Sequence, residues 1–381
     1  MFDPSGRRVL ITGASSGLGA ALAMGLAQQG AVIGLAARRP DRLDAVLAEV
    51  RRHSPDSRAW VVDLADLDGI DAFARTAVDD LGGLDVLVNN AGIPKRRWAW
   101  NHRPDEIADV LRINVESPIR LTTALLGDLA ASNGHAVFIG SVAARLAPPN
   151  EAVYSASKAA ITAYAEGLRV DLGVAGCPVG VHVVQPGVLA TELFELPDND
   201  PSLSDIEPLP PAAIVDAVLG VLASGATEAF VPEWFRDLPA VKAGNLDGFL
   251  QGAVEYTTGR IETLGIAPPE PPTGVRAGRC RAPDAARPPG SARPPDTRRP
   301  HGAHDRSPRP RPRPSPHPTP RPRPRSDPAR REETSAVRAR STGRAPRRRR
   351  RQGGSGLPRH ATGAATGNDS GSRSISRIPG E

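Results

Sequence analysis

Cysteine is nearly missing: Cys177 and Cys280 are the only two in 381 residues, and they lie in parts of the chain with unlike composition. No disulfide framework is implied, and a reducing cytoplasm is the expected compartment. Aromatic residues make up 4% of the chain, with three tyrosines (Tyr154, Tyr164, Tyr256), and lysine is equally scarce (Lys95, Lys158, Lys242). The eight histidines show no metal-ligand spacing, so no metal site is expected. The opening MFDPSGRRVLITG has no long apolar core behind its charges, which argues against a signal peptide. One stretch, Val9 to Ala37, lacks charge altogether. Six glycines (Gly13, Gly17, Gly19, Gly25, Gly30, Gly34) break it into strand, turn, helix and strand, so no membrane span is expected.

No lysine follows Lys242, and from residue 276 arginine and proline take over. Residues 276–381 hold 27 arginines against 8 acidic residues, a net charge of +19, which leaves −13 for residues 1–275 and hides both values inside a total of +6. With RPRPRPSPHPTPRPRPR at 309–325 and RRRRR at 347–351, this part has too few apolar residues to offset chain entropy. Residues 268–381 are therefore read as a disordered basic tail. Nucleic acid is a candidate partner through this tail alone, by charge. A solvated extension without a partner is the simpler reading. The Arg, Pro, Gly and Ala bias also fits a GC-rich stretch translated out of frame, which resequencing across codons 265 to 285 would test.

Residues 1–267 read differently. Short apolar runs (RVLITG, AVIGLAA, AWVVDL, DVLVNNAG, HAVFIGS, GVHVVQPG, EAFVPEW) alternate with stretches of helical periodicity such as Leu18 to Gln29 and Asp41 to Arg52. Strand and helix alternating at this rate predict an α/β fold: a doubly wound parallel sheet of Rossmann type in a single domain.

Glycines crowd the first strand-to-helix turn, VLITGASSGLG at 9–19. There they let the backbone approach a pyrophosphate, whose charge is met by the free N–H groups and positive end of the helix. The spacing of Gly13, Gly17 and Gly19 is not G-x-G-x-x-G, so this turn alone is a weak signal. Further on, YSASK at 154–158 puts a scarce tyrosine and a scarce lysine four residues apart, on one helix face. Bringing a phenol from about 10 to about 7 requires roughly 4 kcal/mol of preferential stabilisation of the phenolate, and a nearby ammonium supplies part of it.

Taken together, these segments resemble the classical short-chain dehydrogenase/reductase family. Its pattern T-G-x-x-x-G-x-G matches Thr12 to Gly19. NNAG at 89–92, Asn114 in RINVES, Ser141 in IGS, YSASK and PGVLAT at 186–191 follow in the family's order, with 13 residues from Ser141 to Tyr154. The likeness spans about residues 5–265.

The resemblance implies an enzyme, an oxidoreductase interconverting a small-molecule carbonyl and a secondary alcohol by hydride transfer. Asn114, Ser141, Tyr154 and Lys158 would be its catalytic set: Tyr154 as general acid and base, Ser141 holding the substrate oxygen, and Lys158 on the nicotinamide ribose. Asn114 would link Lys158 to solvent through water. The cofactor contacts carried over are Gly13, Ser15, Ser16, Gly17, Leu18, Gly19, Asp63, Leu64, Asn89, Ala91, Gly92, Tyr154, Lys158, Pro186, Gly187, Val188 and Thr191. Asn90 would tie neighbouring strands instead.

An NAD-selective member would carry an acid at position 37, which is Ala37 here, followed by Arg38 and Arg39. NADP(H) is accordingly the expected cofactor, with Arg38 as main phosphate ligand, Ser15 as helper and NAD(H) as the alternative. In the family, a segment equivalent to 189–211 forms the substrate lid. IPKRRWAWNH at 93–102 is a second candidate wall, with Lys95, Arg96 and Arg97 for an anionic substrate and Trp98 and Trp100 for an apolar one. Members assemble as homodimers or homotetramers, and Ala159, Ala160, Ala163 and Ala165 offer a small-residue surface for that. A non-catalytic NADP(H)-binding regulator is the competing function, against which the complete set of four catalytic residues argues.

Overall fold

Seven β-strands, all parallel, form one sheet in the order β3-β2-β1-β4-β5-β6-β7. They are β1 (Arg8–Thr12), β2 (Val32–Ala37), β3 (Arg58–Val61), β4 (Val86–Asn89), β5 (His135–Ile139), β6 (Gly180–Pro186) and β7 (Glu228–Val231). The computed structural model describes residues 2–192, 196–270 and 272. The basic tail, with its predicted disorder and frame-shift origin, lies outside the described residues apart from 268–270 and 272.

Each apolar run predicted as a strand is one, and the pleat sorts its side chains to two faces. Val9, Ile11, Val86, Val88, Val137 and Ile139 point to one core. It is closed by α1 (Gly17–Gln28), α2 (Pro40–Val50) and α7 (Ala213–Ser224). Leu10, Leu87, Ala136 and Phe138 point to the other, closed by α3 (Ile70–Leu81), α5 (Ser117–Ala131) and α6 (Ala152–Val174). Both sheet faces are thus buried, as parallel strands require. The chain order reverses between β1 and β4, which opens a crevice beyond their carboxyl ends.

Two sequence details set the shape of that crevice. Gly19 lies so close to the first turn that a Cβ would fall 2.4 Å from the Gly13 carbonyl oxygen, so helix and strand meet only because no side chain intervenes. Between α4 (Pro104–Leu111) and α5, residues Arg112–Glu116 widen into a π-helical turn carrying Asn114. After β7, a 3₁₀ turn (Glu233–Asp237), α8 (Leu238–Gly244) and α9 (Leu246–Leu264) complete the described chain. Of the four alanines proposed for subunit packing, Ala159, Ala160 and Ala163 are exposed, whereas Ala165 is buried in the core. Among the described residues, no helix is long and apolar enough to cross a membrane.

Candidate active site

A single cavity of about 670 Å³ runs from the N-terminus of α1 to the segment following β7. Its first end is built from backbone. Gly13 and Gly17 adopt left-handed φ values of 67° and 55°, and no side chain caps the N-terminus of α1. No acidic residue occupies its first turn, so its N–H groups and positive dipole face the cavity uncompensated. Arg38 and Arg39 line the same end beside Ser15, Ser16, Asp63 and Leu64. Arg39 is the more engaged of the two: its guanidinium donates to the Ser15 Oγ at 3.2 Å and the Ser16 Oγ at 2.6 Å. Ala37 at the end of β2 is buried and brings no carboxylate. Glu192, which also lines the cavity, pairs with Arg42 and stands 3.7 Å from Arg39. This donor set, two guanidiniums and two hydroxyls beside an uncapped helix, fits the phosphates of a dinucleotide.

In the middle of the cavity, Ser141, Tyr154 and Lys158 converge. Ser141 follows β5 by two residues and is held by two bonds: its N–H donates to Gln185 Oε1 at 2.7 Å, and its Oγ accepts from the Ala143 N–H at 3.1 Å. Lys158 is buried, its ammonium donating to the Ile139 carbonyl at 2.8 Å, and its Nζ stands 5.8 Å from the Tyr154 ring centre. Gly92 leaves little room for a side chain, since a Cβ would come within 3.2 Å of Asn114 Oδ1 and 3.4 Å of Lys158 Nζ.

Asn114 is buried and clasps both backbone groups of Ile93, at 2.8 and 2.9 Å, while donating to Ser157 Oγ at 3.0 Å. That oxygen in turn donates to the Tyr154 carbonyl at 2.7 Å. The side chain therefore pins the loop after β4 to the first turn of α6.

The protein's own groups do not bring the phenol toward 7, contrary to the sequence-based expectation. Burial drives the Tyr154 hydroxyl well above its ordinary value, and the neighbouring Glu151 carboxylate adds to this. Ser141 and Arg96 pull it down without offsetting them. Burial also lowers the Lys158 ammonium to about 8. Tyr154 is thus a firmly protonated acid at neutral pH.

Of the residues named from sequence, Gly13, Ser15, Ser16, Gly17, Leu18, Arg38, Asp63, Leu64, Ala91, Gly92, Ser141, Tyr154, Lys158, Pro186, Gly187, Val188 and Thr191 line the cavity. Gly19, Asn89 and Asn114 stand behind its wall. Asn89 turns away to donate to Thr122 Oγ1 at 2.9 Å. Asn90 ties β4 to β1 by donating to the Thr12 carbonyl at 2.9 Å.

The far end holds residues that sequence reasoning missed: Glu151, Trp234, Phe235, Leu238, Phe249 and Tyr256. A signal existed for the aromatic ones, since aromatics are rare and these cluster after the last apolar run. Within the candidate lid, Leu189, Leu196 and Ser202 to Ile206 line the cavity.

Arg96, Arg97 and Lys95 do not form an open anion site. Lys95 and Arg97 pair with Glu106 and Asp198, and Arg96 is buried, donating to the Asp200 carbonyl at 3.1 Å. Trp98 and Trp100 stack on each other at 5.8 Å and line no part of this cavity.

Glu106 is the hub of that loop. Burial pushes its carboxyl up, but Arg97, the Arg103 N–H and Lys95 prevail and hold it at about 2. The stability it contributes is complete above the unfolded value near 4.5 and is lost as pH falls toward 2. Glu106→Gln is expected to cost about 2–4 kcal/mol at neutral pH, read as a lower urea midpoint, with the deficit shrinking in acid.

A strand-ordered dinucleotide crevice with a Ser-Tyr-Lys cluster at its centre defines the chain, by class, as an oxidoreductase of the Rossmann type. The short chain dehydrogenase family model matches residues 7–200, and the chain belongs to that family. It acts on CH–OH or carbonyl groups. It is 32% identical to an uncharacterised oxidoreductase of Staphylococcus saprophyticus over 202 residues, 53% of this chain and 81% of that one. Among solved structures it is similar to an alcohol dehydrogenase from the archaeon Thermococcus sibiricus complexed with 5-hydroxy-NADP (25% identity, TM-score 0.52, 59% of this chain and 95% of that one). It is also similar to an NAD⁺-bound xylitol dehydrogenase (26% identity, TM-score 0.55, 60% and 99%).

Proposed function

We propose that the protein reduces a carbonyl compound, or oxidises the corresponding secondary alcohol, with NADP(H). The observation that carries this reading is the continuity of one cavity from the arginine-flanked terminus of α1 to Ser141, Tyr154 and Lys158. A nicotinamide cofactor is supported by both solved neighbours, one holding an NADP derivative and the other NAD⁺. The phosphate preference rests on Arg39 with Ser15 and Ser16, and on Arg38, in the absence of an acid at Ala37.

The bound cofactor would supply the hydride and a positive ring after oxidation. Gly13 and Gly17 admit the pyrophosphate against α1, while Asp63 and Leu64 bracket the adenine. Ala91, Gly92, Pro186, Gly187, Val188 and Thr191 wall the nicotinamide end. Ser141 donates to the substrate oxygen as its charge grows. Tyr154 then releases its proton to that oxygen. Its raised affinity for the proton matters little against an alkoxide, which is far more basic, and keeps the acid loaded at neutral pH. Lys158 binds the ribose and carries the ammonium that steadies the phenolate left behind. Asn114 holds the lysine-bearing helix in register with Gly92.

The test is oxidation of NADPH and of NADH, followed by absorbance, against a panel of aldehydes, ketones, quinones and steroids. Carbonyl-dependent consumption with NADPH ahead of NADH is expected; inertness toward every member would sink the reading.

A further inference from the structure

One polar side chain at the substrate end touches neither the reacting oxygen nor the cofactor in this reaction. Glu151 is the N-cap residue of α6; its side chain makes no capping bond and lines the cavity. The surroundings are apolar and aromatic: Leu146, Pro149, Leu196, Trp234, Phe235 and Phe249. At this end the charged lining residues are Glu151 and Asp205, both acidic, while the guanidiniums lie at the dinucleotide end and Lys158 sits beneath Tyr154. Arg96 faces Glu151 from the 93–98 loop and also faces Asp200, so its charge is shared between carboxylates. Burial pushes the Glu151 carboxyl up to about 7, with Arg96 opposing. A cation set against it would restore the ionised form. Acid plus aromatic faces is the combination that holds an organic ammonium, and residues 1–275 as a whole, at −13, attract one.

We propose that the substrate is a carbonyl compound or alcohol bearing a protonated amine, which Glu151 binds while the reacting carbon lies at Tyr154. This rests on the reaction proposed above for where the carbonyl sits, but not for the amine contact. The probe pair is 4-(dimethylaminomethyl)acetophenone and 4-isobutylacetophenone, which share shape and differ in charge. Each is titrated calorimetrically into wild type and Glu151→Gln with NADP⁺ present, so that no turnover occurs. Wild type is expected to bind the amine about 10-fold or more tightly than its isostere, and the variant to lose that difference while binding the isostere within about 2-fold of wild type. The retained isostere binding also shows that the variant is folded. Equal binding of the two ketones by wild type, or a difference that survives in Glu151→Gln, overturns the proposal. Glu151-dependent amine binding without NADPH oxidation by either ketone would instead leave this site standing and remove the reaction.

Discussion

Tyr154→Phe is expected to lower kcat for carbonyl reduction by about 10³-fold while changing NADPH affinity by less than about 3-fold. The phenyl ring preserves the shape of the cavity and its position one helical turn from Lys158, so only the proton is removed. Because the hydroxyl is held protonated by burial and by Glu151, no fraction of the wild-type acid is lost at neutral pH, and the variant exposes the whole of its contribution. Single-turnover oxidation of NADPH, read alongside a fluorescence titration of cofactor binding, separates the two effects. Near-normal turnover would reassign the proton donor.

The second large effect concerns the cofactor. The double substitution Arg38→Ala/Arg39→Ala is expected to reduce kcat/KM for NADPH by about 10²-fold and to leave NADH within about 3-fold, since each charge-assisted bond to a phosphate contributes about 1.5–3 kcal/mol. Arg39→Ala alone should account for the greater part, because its guanidinium already lies against Ser15 and Ser16. A parallel fall with both cofactors would mean that the pair shapes the adenine end and does not discriminate.

The two arginines also show where sequence reading stops. That an alanine followed by two arginines stands where an acid would otherwise accept ribose hydroxyls is legible from AARR alone. Which of the two adjacent guanidiniums meets Ser15 and Ser16 is not, because both line the crevice and the contact depends on how α2 begins. Arg39 is the extended residue just ahead of Pro40. The strands were legible for a simpler reason: a parallel sheet covered on both faces needs apolar runs, and the seven runs of this chain are each an observed strand, with the edge strand β3 the least buried.

The cavity wall formed by residues 234–256 was not legible. It assembles from a 3₁₀ turn and two helices whose spacing along the chain bears no relation to the crevice. The phenol's affinity for its proton was read in the wrong direction, because sequence shows the lysine one turn away but not the burial or the carboxylate three residues before it.

The 95–98 loop and the 198–200 stretch are bound to each other by backbone and side-chain hydrogen bonds and by charge. The Asp200 N–H meets the Arg96 carbonyl at 2.9 Å, the Arg96 N–H meets Asn199 Oδ1 at 2.6 Å, and Asp198 receives both Lys95 and Arg97. Asn150, just ahead of α6, ties into the same knot through Pro201 and Arg97. Grafting a foreign specificity segment onto this scaffold would therefore require transplanting two distant stretches as one cassette, because either alone would arrive without its counter-charges.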